Sequence, residues 1–430
     1  MSKKVLLLGA IACFVLVAQM SFAGGSSENA GPQKVTITQW AFPFAAEQED
    51  KAMFEALMPE LHKVAPNVDV NIEFFPWDGR RQRVLTAIAA QTTPDVVYLN
   101  DDMKPLFYPN LLDLNKYIKK ADLADFKPGA IEGSTYKGEL AFVPVLINSV
   151  ARFVNLDLFQ KLGYPESWIN EQHTWADFVQ LCEKAKQAGY YCDTMGPASD
   201  AIVDELSNYL GQAGGDYYNA DMTKSTLNTP EAINAFKFIV SLWDNKYINA
   251  ADIDLTEVQS QESNFVQGKS VTVMAQNQAY VQWQKMNPNL KVGLMRALKG
   301  VKIASNGTIA GYGSFKSTKN PEAAVQWIQV LTGTTGMAKI DTVVSLIPPR
   351  LSLDSVVSKS LNSPIFDRAS QNSRWFVPTV PASPVGAAAN KLIATAVQKM
   401  ILHKQSIEDA ANEVTSQINA LLDNYYAKTK

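Results

Sequence analysis

The sequence contains few of the residues that build metal and redox sites. Its 430 residues include only three cysteines and three histidines. His62, His173 and His403 never stand at zinc-ligand spacing from one another or from a cysteine. We therefore expect neither a bound metal ion nor a cofactor.

An excess of basic residues is also missing. The 39 Lys and Arg residues are matched by 42 Asp and Glu residues, for a formal net charge of -3. Nucleic-acid-binding proteins concentrate positive charge, so this class is excluded. The chain is 47% hydrophobic, and its length is enough for two or three domains' worth of core.

Several catalytic motifs are absent as well, namely the G-x-S-x-G elbow, H-E-x-x-H and the P-loop. A glycoside hydrolase would need two carboxyl groups facing each other roughly 5–9 Å apart. Asp101 and Asp102 are adjacent, and their side chains point in different directions. The sequence therefore predicts a protein that is not an enzyme, with a secreted glycoside hydrolase as the weaker alternative.

The N-terminus has the pattern of a Sec signal peptide. Two lysines precede the apolar run VLLLGAIACFVLVAQM, and Ser21 and Ala23 form a small-x-small cleavage site. Cys13 lies in the middle of the apolar run, and whether it is ever lipidated is left open. We expect a signal peptide over residues 1–23, then a linker over 24–33, and a periplasmic or otherwise extracytoplasmic protein.

Strand and helix patterns alternate after this linker. The stretches KVTITQW (34–40), VDVNIEFF (68–75) and DVVYLN (95–100) have the composition of strands, and apolar residues recur at helical spacing between them. Strands that alternate with helices predict βαβ units. We therefore expect the α/β class with a mostly parallel sheet.

Aromatic and polar side chains follow these predicted strands. Trp40 ends the first strand, Trp77 follows the second, and Asn100, Asp101 and Asp102 end the third. In open parallel sheets the carboxyl ends of the strands face the crevice where ligands bind. An acid pair, a metal site or a polar clasp for a neutral ligand would all give this local pattern. Of the two aspartates, we expect one to contact a ligand and the other to cap a turn.

Ten stretches give the chain a resemblance to a known family. In order they are VTITQW, LTAIAAQTTPDVVYLN, LLDLNKYI, GELAFVPVLINSVARFVNLDLFQKLG, TWADF, TPEAINAFKFIVSLW, FVQGKSVTVM, IAGYGSFKSTKNPEAAVQWIQVLTG, SLIPPRLS and SIEDAANEVTSQINALL. Together they span nearly the whole mature chain. The sequence resembles family-1 extracellular solute-binding proteins, the maltose-binding-protein-like carbohydrate receptors of ABC importers.

This resemblance implies a two-lobe periplasmic-binding-protein type II fold with the ligand in a cleft between two α/β lobes. The chain should cross between the lobes near 145–149, 306–310 and 335–345. Hinge positions would then be Pro144, Asn148 and Gly307. The implied N-terminal lobe comprises residues 34–147 and 308–338, and the C-terminal lobe residues 148–307 and 339–430.

The resemblance also implies ligand contacts beyond the first three strands. A sugar offers apolar C–H faces and a rim of hydroxyls, which favours flat aromatics and planar hydrogen-bonding groups. Added to Trp40, Trp77, Asn100, Asp101 and Asp102, the expected contacts are Ser199, Gln276, Gln278, Tyr280, Trp283, Tyr312, Arg350 and Trp375. The chain departs from the family at Arg152–Asn155 and Gln276–Tyr280, and Arg350 could instead lock a loop.

The implied function is a monomeric receptor that passes a sugar or oligosaccharide to ABC permease subunits. A polyol, a glycerol-phosphodiester, a peptide or another non-sugar solute remains an alternative ligand. The particular sugar, its length and its affinity are not given by the sequence.

Cys182 and Cys192 are the only thiols that remain after cleavage at Ala23. Ten residues separate them, which lets the chain reverse and bring their Cα atoms within bridging distance. Export into an oxidising compartment favours a bond between them. We expect a disulfide, with two buried free thiols as the alternative.

Overall fold

The computed structural model describes residues 33–44, 47–77, 79–198, 201–219, 221–256, 258–277, 279–344, 346–361, 364–373, 376–378 and 383–428. The predicted signal peptide, Cys13 and nearly all of the predicted linker lie outside these ranges. The chain divides into a segment Met1–Lys34 and a body Val35–Lys430. Everything below concerns the body.

The strands of the body are β1 (Val35–Ala41), β2 (Val68–Phe74), β3 (Val96–Asn100), β4 (Thr135–Tyr136), β5 (Glu139–Leu140), β6 (Val143–Asn155), β7 (Thr272–Gln276), β8 (Val292–Leu294), β9 (Ser305–Gly313) and β10 (Phe376–Pro378). The helices are α1 (Glu47–Glu55), α2 (Met58–Val64), α3 (Arg80–Ala90), α4 (Lys104–Phe107), α5 (Pro128–Ser134), α6 (Leu156–Lys161), α7 (Trp175–Gln187), α8 (Ala201–Ala213), α9 (Pro230–Asp244), α10 (Val258–Val266), α11 (Ala279–Met286), α12 (Pro321–Thr332), α13 (Thr334–Val344), α14 (Asp354–Leu361), α15 (Pro364–Asn372), α16 (Gly386–Ile401) and α17 (Ile407–Lys428).

Local sequence explains several of these boundaries. Thr174 and Asp177 form a capping box that starts α7, because each side chain accepts a backbone N–H of the other. Thr229 caps α9 just before a proline at the first helical position. Four of the five residues of β3 are buried, as expected of a strand covered on both faces.

One continuous sheet runs through the body in the order β2-β1-β3-β9-β6-β7, with β10 beside β9 and β8 beside β6. The predicted α/β class is confirmed. Pairing is parallel where β1 meets β2 and β3, and again where β10 meets β9. Around β6 and β9 the pairing is antiparallel, so the sheet is mixed there, whereas the sequence patterns predicted a mostly parallel one.

The long strands β6 and β9 link the two halves of this sheet. They pair antiparallel from Val143 to Val150, with a register break between Pro144 and Leu146. A Cβ atom at Gly311 would stand 1.9 Å from the Val143 carbonyl oxygen, so only glycine allows this close approach of the two backbones. The predicted crossings near 145–149 and 306–310 fall within these two strands.

The third predicted crossing has a different local structure. Residues 335–345 were expected to connect the lobes as a crossover strand, but the chain there forms α13. Ile347, just beyond this helix, exchanges two backbone hydrogen bonds with Ile147 of β6, at 2.8 and 3.1 Å. The lobe boundaries themselves stay a prediction.

Two hydrophobic clusters form the core. The first packs β1, β2, β3 and α12 and continues to Phe153 and Trp283 behind β6 and β7. The second packs α7, α8, α9, α16 and α17 on the other face of the β6 region. Helices therefore cover both faces of the sheet in the C-terminal half.

The second cluster contains a disulfide. Cys182 on α7 is bonded to Cys192, and their Cα atoms are 4.6 Å apart. Both residues are fully buried. No helix within the described ranges has the length and apolar character that a membrane crossing demands.

Candidate functional site

A cavity of about 330 Å³ opens where strand ends and crossing strands meet. The strands β3, β6 and β9 each contribute one pair of lining residues. The two members of each pair are two residues apart and therefore face the same side of the sheet. The described lining residues are Pro43, Phe44, Trp77, Tyr98, Asn100, Leu146, Asn148, Gln276, Thr308, Ala310 and Leu346. They come from both ends of the body's sequence.

Three aromatic rings form one wall of this cavity. The Phe44 and Trp77 rings lie 5.9 Å apart, and each meets the Tyr98 ring edge-on at 5.1 and 5.7 Å. The Trp77 indole N–H donates to the Pro43 carbonyl oxygen at 2.6 Å, which fixes the ring orientation. Trp77 remains 42% exposed, so it presents an apolar surface to the cavity.

Arg80 supports this wall from behind. Its guanidinium carbon lies 4.7 Å from the centre of the Trp77 ring, 5.4 Å from Phe42 and 5.6 Å from Tyr98. These distances are in the range of cation–π attraction. Burial lowers the pKa of the Arg80 guanidinium from its usual value, and the same desolvation raises the pKa of the Tyr98 hydroxyl. Through these cation–π contacts Arg80 stabilises the packing of the rings.

The remaining polar lining is made mostly of carboxamides. Asn148 donates from Nδ2 to Gln276 Oε1 at 3.0 Å, which turns its own Oδ1 away from that neighbour. The Oδ1 atoms of Asn100 and Asn148 are buried, and neither has a hydrogen-bond partner among the described residues. Buried acceptors are normally satisfied. These two oxygens are therefore unpartnered acceptors on residues that line the cavity.

The two aspartates that follow β3 do not line the cavity. Asp101 is buried, and its Oδ1 accepts the backbone N–H of the next residue, Asp102, at 3.0 Å. Burial raises the pKa of the Asp101 carboxyl, although the nearby Lys104 opposes this shift. Asp102 forms an ion pair with Arg81. Neither carboxylate is among the described residues that line the cavity.

Two larger cavities of about 890 and 810 Å³ occur elsewhere. The first is lined by residues between 115 and 131, away from the strand ends. The second is lined in part by α5, and a Cβ at Gly133 of this helix would collide with the Ile309 side chain. Ile309 faces the opposite side of β9 from Thr308 and Ala310. Among the described residues, neither of these two cavities is lined by the ends of β1, β2 or β3. The smaller cavity, lined by Trp77 and Asn100, is therefore the candidate site.

Residues 54–364 match the family model for bacterial extracellular solute-binding proteins. This is well over half of the chain. The chain belongs to this family. Members are binding proteins that act outside the cytoplasm, and the resemblance seen in the sequence is confirmed.

Curated relatives are also binding proteins. One from Brucella abortus (strain 2308) is 24% identical over 360 residues, which cover 77% of this chain and 80% of the relative. One from Brucella suis biovar 1 (strain 1330) has the same identity and coverage.

Solved structures show the fold of this solute-binding protein. The sugar-binding protein MalE from Xanthomonas citri has a TM-score of 0.77 at 18% identity, over 92% of this chain and 99% of that one. The cyclic alpha-maltosyl-1,6-maltose binding protein from Arthrobacter globiformis has a TM-score of 0.77 at 19% identity, over 91% and 100%. The predicted two-lobe fold is thereby confirmed.

Three of the predicted contacts line this cavity, which is the candidate ligand cleft of the solute-binding protein. Trp77 contributes to the aromatic wall, and Asn100 and Gln276 contribute carboxamides. Asp102 stands at the rim with one oxygen, Oδ1, that has no hydrogen-bond partner among the described residues. Their roles in binding stay predictions.

Other predicted contacts lie away from the cavity. Trp40 packs against Phe75 at 4.9 Å and donates to Glu73 on the neighbouring strand at 3.0 Å. It pairs with Val97 of β3 and therefore faces the opposite side of the sheet from the lining residues of β3. Trp283 is 1% exposed and packs against Phe153 and Phe265, so it belongs to the core.

Tyr280, Tyr312 and Arg350 also stand outside the lining. Tyr280 packs on the first hydrophobic cluster, and Tyr312 is 1% exposed behind Tyr98. Arg350 donates to the Thr332 carbonyl oxygen at 2.8 Å and covers the Phe126 ring. These contacts correspond to the alternative in which Arg350 locks a loop. Ser199, Gln278 and Trp375 lie outside the described residues.

The sequence reasoning missed several lining residues, among them Phe44, Tyr98, Leu146, Thr308 and Ala310. Tyr98 stands two residues before Asn100 and so shares its face of β3, a signal that strand alternation offers directly. Asn148 was expected only near a hinge. Its central place depends on the pairing of β6 with β9 and β7, which no local pattern predicts.

Proposed function

We propose that this protein captures a sugar in the cleft between its lobes and delivers it to the permease of an ABC importer. The observation that carries the proposal is the cleft itself. An aromatic wall of Phe44, Trp77 and Tyr98 stands beside the carboxamide oxygens of Asn100 and Asn148. Sugars need both an apolar platform and fixed polar partners.

The structural neighbours support this proposal. Those with similar folds include proteins described as binding sugar, maltose and acarbose. A polyol would use the same hydroxyl partners but would not need a flat ring platform. Glycerol-phosphodiesters and peptides carry charge, and no described lining residue is charged.

We further propose that the protein has no catalytic activity. Asp101 accepts the backbone N–H of Asp102 and Asp102 is paired with Arg81, so the two carboxyl groups do not face one another across a substrate. The proposal also includes Sec export directed by residues 1–23. The exported receptor is a monomer that docks on the permease subunits.

A thermal-shift screen of the mature chain against sugars, polyols, glycerol-phosphodiesters and peptides tests the ligand class. A sugar at 100 times its dissociation constant should stabilise the folded state by about 2.7 kcal/mol. Incubation with that sugar, followed by product analysis, should show no turnover. Stabilisation by a peptide or phosphodiester but by no sugar would refute the proposal.

A further inference from the structure

The proposed sugar site carries information about the size and charge of its ligand. Its eleven described lining residues include no Asp, Glu, Lys, Arg or His. The two aspartates that follow β3 are not among these residues, and Asp102 pairs with Arg81. A charged ligand group would lose its hydration in the cleft and find no opposite charge among these residues, which is costly.

The volume of the cleft is small for a ligand pocket. It measures about 330 Å³, whereas such pockets range over roughly 300–1,000 Å³. The cleft is therefore at the lower end of this range, which favours a ligand of about one ring over an extended oligosaccharide.

The two unpartnered acceptors stand on either side of β9. Asn100 pairs with Ala310 and Asn148 with Thr308, so β9 lies between the strands that carry them. Two strand spacings of about 4.8 Å and a stagger of two residues place their Cα atoms roughly 12 Å apart. Both side chains project from the same face of the sheet, so one ligand that lies over β9 can face both acceptors.

Resting on the proposed function, we infer that the ligand is a neutral monosaccharide, held between the Oδ1 atoms of Asn100 and Asn148 with one face on Trp77. Asn148 sets the charge preference, because its amide is locked by Gln276 and presents a neutral acceptor at the centre of the cleft. Sugar acids and amino sugars are rejected.

Calorimetry with defined probes tests this inference. The neutral set is glucose, galactose, mannose, xylose, fructose, maltose and maltotetraose. The charged set is glucuronate, galacturonate, mannuronate and glucosamine. We expect tightest binding by a monosaccharide, with its charged analogues at least about tenfold weaker, a difference of about 1.4 kcal/mol. An equally tight charged analogue, or affinity that rises more than tenfold from monosaccharide to maltotetraose, overturns the inference and leaves the sugar-receptor function standing.

The Asn148→Asp variant places a carboxylate at the same position without changing the side-chain shape. It should raise the ratio of glucosamine to glucose affinity at least about tenfold, the scale expected when a buried cation gains a partner. Asn289→Asp, on an exposed loop, adds the same charge away from the cleft and should leave the ratio unchanged.

An unchanged ratio in Asn148→Asp, in a sample with a wild-type circular dichroism spectrum, contradicts the inference. If Asn148→Asp does not fold, the wild-type comparison above still decides. If no sugar of either set binds, the proposed function fails together with it.

Discussion

At the scale of single residues, the two tryptophans near the strand ends have different surroundings. Trp77 is 42% exposed and lines the cleft, with Arg80 behind its ring. Trp40 stands on the β2 side, where it is hydrogen-bonded to Glu73. The sequence placed both at the same edge, and the direction of each side chain separates them.

The first prediction concerns Trp77→Ala, which removes the exposed platform of the aromatic wall. We expect ligand affinity to fall by roughly 1–3 kcal/mol, the range for loss of a binding hot spot. Trp40→Ala is the matched control and should bind within twofold of wild type in calorimetry. Equal losses in both variants would show that the platform lies elsewhere.

The second prediction concerns Asp341 of α13. Its side chain is fully buried, and neither carboxylate oxygen has a hydrogen-bond partner among the described residues. Burial raises the pKa of this carboxyl well above its usual value, although Lys127 opposes the shift. Between the unfolded and folded pKa values the folded state binds more protons, so stability falls as the pH rises through this window.

Asp341→Asn removes this proton linkage. The variant should melt at a higher temperature than wild type at pH 8, and the advantage should shrink towards pH 4, where the wild-type carboxyl becomes protonated even in the unfolded chain. Asp423→Asn, on the exposed side of α17, is the control and should show no such trend. A melting difference that is constant with pH would mean that Asp341 is not the titrating group.

At the scale of elements, the disulfide ties the middle of α7 to the segment that follows it. Cys182 and Cys192 are ten residues apart, and both are buried in the second hydrophobic cluster. The spacing of the two cysteines and the predicted export signal both favour this bond. The amphipathic pattern of α7 explains why Cys182 faces inward with Phe178.

The third prediction is that Cys182→Ala/Cys192→Ala lowers the free energy of unfolding by about 2–3 kcal/mol, since a short closed loop restricts the unfolded chain only moderately. Urea denaturation measures the loss. Wild-type protein unfolded with reductant is the control and should lose a similar amount. A variant as stable as oxidised wild type would contradict this account.

At the scale of the whole molecule, β6 and β9 run side by side through the predicted crossings near 145–149 and 306–310, and Ile347 pairs with β6. We expect the lobes to rotate about these segments. The cleft is lined from both sides of this crossing. A ligand that touches both sides favours the closed arrangement, because only there can it make all of its contacts.

The fourth prediction follows from this geometry. Small-angle scattering should give a smaller radius of gyration at saturating ligand than without ligand. Trp77→Ala at the same ligand concentration should show a smaller change, because less of it is bound. An identical radius with and without ligand, at occupancy verified by calorimetry, would rule out closure on binding.

Local patterns of the sequence were sufficient for some of these features. Alternation of strands and helices set the α/β class, and polar residues after β3 marked the correct edge of the sheet. Trp77, Asn100 and Gln276 were found because strand ends and family motifs are local signals. Caps such as Thr174 are local as well, since partner and acceptor are three residues apart.

Only the tertiary structure decided the rest. Trp40 faces away from the cleft because its register with β3 pairs it with Val97, and Asn148 becomes central because β6 pairs with β9 and β7, more than 120 residues away. Trp283 and Tyr312 have the residue type of ligand platforms and became core, since packing buried them. The sequence by itself determined the α/β class and the family, because these follow from local composition and from the order of the motifs. The lining of the cleft was decided by long-range strand pairing, which local composition does not encode.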